Sequence, residues 1–220
     1  VLAVIEQPEP PEDVSRGVHH WMKIQAARVL AHQHSAGVTP QVHQALLSLV
    51  SDEEMSLDDR VSVVQLLEKI KYEGVAEIDG DQSAWLLGQL AESVVSKSAK
   101  EARDYLDELV QGGGFAAGRR GGYGEFGGGV NTPAGPQLEK QRMLARMNAI
   151  VQGAQSLAKL SPEMTAKLNE LAGPMDNVIE SAAKKDVIDT KVARDVINLS
   201  DQISALVATW KPAEPAEALA

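Results

Sequence analysis

The chain has 220 residues, of which 44% are hydrophobic and only 4% aromatic, and it contains no cysteine. Such a composition supplies a core of Leu, Val, Ile, Ala and Met, which suits close helix packing. It excludes disulfides, a thiolate zinc site and a cysteine nucleophile, and fits a reducing or an oxidising compartment alike. The net charge of −10 is concentrated in residues 1–111, where nine Lys/Arg face nineteen Asp/Glu. That half repels nucleic-acid phosphates, which argues against duplex binding, and no apolar run approaches the roughly 18 residues that would span a bilayer.

The chain opens VLAVIEQPEPPED. The lack of an initiating Met is expected of a processed or trimmed product. VLAVI reads as a short strand or an apolar docking segment, and QPEPPED as a Pro-stiffened extended stretch completing a leader over 1–14.

An acidic α-helical module is predicted over 15–111. Ser15 caps a first helix with Val18, Met22, Ala26, Val29 and Leu30 at helical spacing. In SAGVTPQ, Gly37 stops it, Thr39 caps the next helix, and Pro40 takes the first position, where a missing N–H costs nothing. The second helix turns Val42, Ala45, Leu46, Leu49 and Val50 inward. Ser56 with Asp59 forms a capping box with the shorter acid. The third helix then places Val61, Val64, Leu67 and Ile70 on one face and ends at Gly74. A last segment runs from Ala84 to about Val110 through Leu86, Leu87, Leu90, Val94, Leu106 and Leu109, with a break expected in the polar SKSAKE near Ser96–Ser98.

Within this module, TPQVHQALLSLVSDEEMSLDDRVSVVQLLEKI resembles a HEAT-type repeat. Pro40 would lie in its first helix, Asp52 in the turn, and Arg60-Val61 at the start of its second helix. HHWMKIQAARVLA would be the second helix of a preceding unit, so the resemblance covers 19–71. It implies a protein-interaction surface rather than an active site. The segment that follows does not repeat the pattern, and a stable stack normally needs three units.

Residues 112–136, GGGFAAGRRGGYGEFGGGVNTPAGP, hold eleven of the eighteen glycines. Glycine loses so much backbone entropy on ordering that a flexible linker is expected, spanning roughly 25–30 Å at about 5–6 Å × √n. Phe115, Arg119, Arg120, Tyr123 and Phe126 are its candidate contacts. Arg-Gly-Gly beside aromatics is similar to RGG-type RNA-binding tails, whose Arg and Tyr stack on unpaired bases, and this makes an RNA-associated factor one alternative. Such tails rely on many repeats, whereas here there is one, with Glu125 nearby.

Over 137–212 the periodicity sharpens. Met143, Met147, Ile150, Ala154 and Leu157 are spaced 4-3-4-3; Met164, Leu168, Leu171, Met175, Val178 and Ala182 continue that rhythm, as do Val192, Val196, Leu199, Ile203, Leu206 and Trp210. An apolar seam every 3.5 residues predicts three helices packed like a coiled coil. Ser161-Pro162-Glu163 starts the second, Asp189-Thr190 starts the third, and Gly173-Pro174 is expected to kink or divide the second. Helices this short point to an antiparallel three-helix bundle or one completed by a partner. Met143, Met147, Ile150, Leu157, Leu199, Ile203, Leu206 and Trp210 are therefore the candidate interface, before a Pro/Ala tail over 213–220.

The chemical motifs are sparse. All five histidines, His19, His20, His32, His34 and His43, fall within 25 residues, which raises a metal-binding module or metal-dependent enzyme as the other alternative, with His32, His34 and His43 as candidate ligands. Their spacing opposes it: His32 and His34 point about 200° apart on a helix, and no HExxH occurs. Surface or helix-end histidines are the expectation. DGDQS offers Asp79, Asp81 and Ser83 at the first, third and fifth positions of a calcium loop, but Ala84 and Leu90 stand where Gly and Glu are needed, so an N-capping turn is expected. Glu53-Glu54 and Asp58-Asp59 sit in a polar turn where carboxylates stay solvated. No catalytic residue and no cofactor are assigned. The expected protein is an all-α, non-enzymatic adaptor or assembly component. It would present helix faces to protein partners, as a homo-oligomer or a subunit of a larger assembly such as a virion or cell-envelope complex.

Overall fold

The computed structural model describes residues 1–32, 40–70, 72, 78–110 and 136–211, with side chains from Glu139 onward in the last range. Among these residues there are eight helices and no strand: α1 (Leu2–Glu6), α2 (Arg16–His32), α3 (Gln41–Ser51), α4 (Leu57–Leu67), α5 (Gly80–Val110), α6 (Pro136–Leu157), α7 (Pro162–Ala183) and α8 (Thr190–Ala208). The protein is all-α.

The longest helix organises the rest. At 31 residues α5 is about 45 Å long, and it packs along α8 more extensively than any other pair. Gly88 lies against Val207 and Trp210, and Ser96 Oγ is 3.4 Å from Ser200 Oγ, so α5 and α8 run antiparallel. The start of α6 reaches the end of α7 through Lys140, whose Nζ donates to the Lys185 carbonyl. Asp81 at the start of α5 pairs with Lys167 at 2.6 Å near the start of α7. The result is an antiparallel four-helix bundle, α5 to α8. The three-helix bundle predicted over 137–212 is corrected accordingly: α8 needs a neighbour for its seam, and α5, which the sequence assigned to the first module, supplies it.

Helices α1 to α4 form a layer on this bundle, mainly through α4 on α6. Gly153 makes that approach feasible, because a Cβ there would overlap the Val64 Cγ1. Gly88 likewise leaves 3.0 Å between its would-be Cβ and both Val207 and Trp210. Arg146 on α6 donates from Nε to Asp58 at 2.6 Å, fixing the start of α4. One apolar cluster runs from Ile5 through Leu46, Val64 and Leu90 to Met147 and Trp210, so the predicted module boundary at 111/137 does not divide the core.

Local signals set the helix ends. The Ser56, Ser161 and Asp189 side chains accept from the first-turn N–H groups of α4, α7 and α8, satisfying donors that would otherwise be orphaned. At α4 the Ser56 hydroxyl also donates to Asp59 at 2.7 Å. Other expectations change. VLAVI is helix rather than strand, with Ile5 buried against the layer. No break interrupts α5 at Ser96–Ser98, because Ser98 donates to the Val94 carbonyl at 3.0 Å and Ser96 faces Ser200. Nor does Pro174 divide α7. Its missing N–H leaves the Glu170 carbonyl without a helical partner, on an exposed residue where water can serve. Helix α4 ends at Leu67, before Ile70. The cap positions Gly37, Thr39 and Gly74 and linker residues 112–135 lie outside the described residues, and Pro136, the last residue assigned to the linker, opens α6.

The face of α2 is also corrected. Val18 and Val29, expected inside, are 50% and 47% exposed, while His19, Lys23, Ile24, Ala27, Leu30 and Ala31 are buried. Lys23 lies inward with its Nζ 4.0 Å from Asp52, in the α3–α4 turn.

Candidate functional site

The histidines do not converge. His43 is buried on α3, with Nε2 2.9 Å from Ser83 Oγ and Nδ1 3.2 Å from the Tyr72 hydroxyl. The Ser83 hydroxyl proton is committed to the Asp79 carbonyl at 2.7 Å. Neutral His43 therefore donates from Nε2 to Ser83, and its bare Nδ1 faces the Tyr72 hydroxyl, whose proton is shared with the Leu67 carbonyl at 3.4 Å. That polarity is the reverse of a histidine activating a serine nucleophile, and Ser83 is fully buried. Burial pushes the imidazole down to about 4 and the Tyr72 phenol up. The trio ties α3 to the start of α5.

His19 is also buried, and its Nε2 has no hydrogen-bond partner among the described residues. Burial, then Lys23, then His20 hold it below the ordinary histidine value. His32 sits at the exposed end of α2, and His34 lies outside the described residues. Of the candidate ligands, His43 thus faces Ser83 and Tyr72 rather than another histidine. Among the described residues no group of three or more His, Asp or Glu side chains is placed to hold a metal. The expectation of surface or helix-end histidines is corrected for His19 and His43. Asp79 caps α5 by accepting from Gln82 N–H at 2.9 Å, and Asp81 is paired with Lys167, so DGDQS is an N-capping turn.

The candidate interface residues lie inside the chain. Met143, Met147, Ile150, Leu157, Leu199, Ile203 and Trp210 are buried, and Leu206 is partly buried against the same cluster. The linker candidates Phe115, Arg119, Arg120, Tyr123 and Phe126 fall outside the described residues.

An apolar surface not foreseen lies on α2. Each helical residue turns about 100°, which sets the buried arc of His19, Lys23, Ala27 and Leu30 opposite a second arc of Val18, Trp21, Gln25 and Val29. Trp21 is 60% exposed, the highest value among the described aromatic side chains. With its amide oxygen turned toward both, Gln25 accepts from the Trp21 indole N–H at 3.3 Å and from Arg28 at 3.2 Å. The indole is thereby anchored sideways on the helix. Trp21 escaped the sequence reading because Val18, Met22 and Val29 satisfied helical spacing without it; polar His19 and Lys23 disguised the true inner face.

No helix among the described residues is long and apolar enough to cross a membrane. Comparison with protein-family models, with curated proteins and with solved structures finds no significant match to this chain.

Proposed function

We propose that this chain is a non-enzymatic helical adaptor or assembly component that binds a protein partner through the outer face of α2. The observation that carries this reading is the second apolar arc, with Trp21 exposed at one edge of it beside Val18 and Val29. Tryptophan is among the residues most enriched at interface hot spots. With the Gln25 amide oxygen turned toward it, the indole N–H gains a hydrogen bond that would reduce the ordering that binding costs. The heptad-spaced seams of α6 to α8, packed in coiled-coil fashion, serve in this reading as a stiff support for the layer that carries α2. The chain acts as a subunit of a larger assembly.

The test compares native mass after gentle isolation from the source. Wild-type chain is expected in a complex larger than one copy, and a variant combining Val18→Ser, Trp21→Ala and Val29→Ser is expected to run alone while keeping its helical spectrum. Equal native mass for both proteins would refute the assignment.

A further inference from the structure

At one end of the bundle, the second half of α5, the start of α6, the α7–α8 connection and α8 enclose a groove of about 360 Å³. Met143 and Val196 floor it, and Tyr105 and Ile188 form apolar walls. Its rim is anionic: Glu101, Asp104 and Glu108 line α5, and Glu139 stands opposite on α6. Asp104, Glu108 and Glu139 form no ion pair among the described residues. Glu101 feels Arg146, but that guanidinium is already committed to Asp58 at 2.6 Å.

We infer that this groove docks a basic peptide segment of a protein partner, with an apolar side chain seated between Tyr105 and Ile188 and Lys or Arg side chains on the carboxylate rim. Charge complementarity names the occupant. The α5 carboxylates at positions 101, 104 and 108 extend over about 10 Å of helix, too far apart to close on one metal ion but matched to successive cations along a peptide. The same charges repel phosphate, which excludes nucleic acid and anionic lipid surfaces. An uncharged ligand would leave the rim unused, and a cation without an apolar group would leave the floor unused. The inference shares with the function proposed above only that the chain binds proteins, since the groove and the α2 face have no residue in common.

The probe is a short fluorescent peptide of alternating lysine and leucine, titrated by anisotropy against the full chain, with an alternating glutamate and leucine peptide as control. Combined Glu101→Gln, Asp104→Asn and Glu108→Gln, all exposed, is expected to weaken the basic peptide about tenfold, as three modest ion pairs would. Combined Glu68→Gln, Glu163→Gln and Glu170→Gln, which removes equal charge elsewhere, is expected to change it less than about twofold, because only nearby charges act strongly at physiological salt. Ile188→Ser should weaken binding without altering its salt dependence. Trp21→Ala should leave binding unchanged even if the α2 assignment fails. Equal losses from the two charge sets would mean non-specific attraction and overturn the proposal. Binding that emerges only after Arg119→Ser and Arg120→Ser would assign the groove to this chain's own segment, and would overturn it too.

Discussion

The seam of α8 and the outer arc of α2 are both apolar stripes at helical spacing, yet they have opposite fates. Val192, Val196, Leu199 and Ile203 meet α5 and α7 and are nearly inaccessible, whereas Val18, Trp21 and Val29 remain about half exposed. Neighbours make the difference, since α5 is long enough to cover α8 for its whole length. Helix α2 turns its mixed face, with His19 and Lys23, toward the layer and leaves the other free. A regular apolar stripe therefore marks a surface that seeks cover. Whether that cover comes from the same chain is decided by the topology around it.

The comparison breaks most visibly under truncation. Leu199→Ala or Ile203→Ala removes fully packed atoms and is expected to cost about 2–5 kcal/mol in chemical denaturation. A loss below about 1 kcal/mol would mean that the seam is not core.

Acidification probes the layer that supports α2. Burial holds His43 near 4 in the folded chain against an ordinary value of 6.5, so the unfolded chain takes up a proton first as pH falls. The stability linked to this group is complete above pH 6.5, declines between 6.5 and 4, and is constant below. Its total is about 3 kcal/mol at 1.36 kcal/mol per pKa unit. His43→Gln should remove most of that slope in urea titrations at successive pH values, and an unchanged slope would place the titration elsewhere. Gly153→Ala sharpens the layer-to-bundle contact. Forcing a methyl against Val64 is expected to cost about 1–3 kcal/mol, and Val64→Ala in the same chain should recover part of it. Additive losses would show that the two residues do not meet. The smallest effect belongs to the exposed stripe, where Trp21→Ala should alter stability by no more than about 0.5 kcal/mol.

How much of this was legible follows from where each signal resides. The seams of α6 to α8 and the caps at Ser56, Ser161 and Asp189 depend on residues within a turn or a heptad of one another, and the sequence displays them directly. The partner of α8 does not appear in its own spacing, because α5 lies about a hundred residues earlier. Gly88 and Gly153 stand alone in helical patterns and become meaningful only when Trp210 and Val64 arrive from distant elements. His43 finds Ser83 forty positions away, so its burial and its partners were both invisible locally. Pro174 and Ser96–Ser98 read as breaks because a local rule has no knowledge of an exposed carbonyl or a facing serine. The candidate site was missed for a related reason: in α2 two stripes compete, and packing against distant elements, which buries Ile24, Ala27, Leu30 and Ala31, is not written in the local spacing.

The direct test of the central claim is photo-cross-linking from single positions along the outer face of α2 in the native source. A benzophenone side chain at 18, 21, 25 or 29 is expected to give the same discrete protein adduct, and at 198 or 202 on α8 to give none. Adducts concentrated at 198 and 202, with none from α2, would contradict the account.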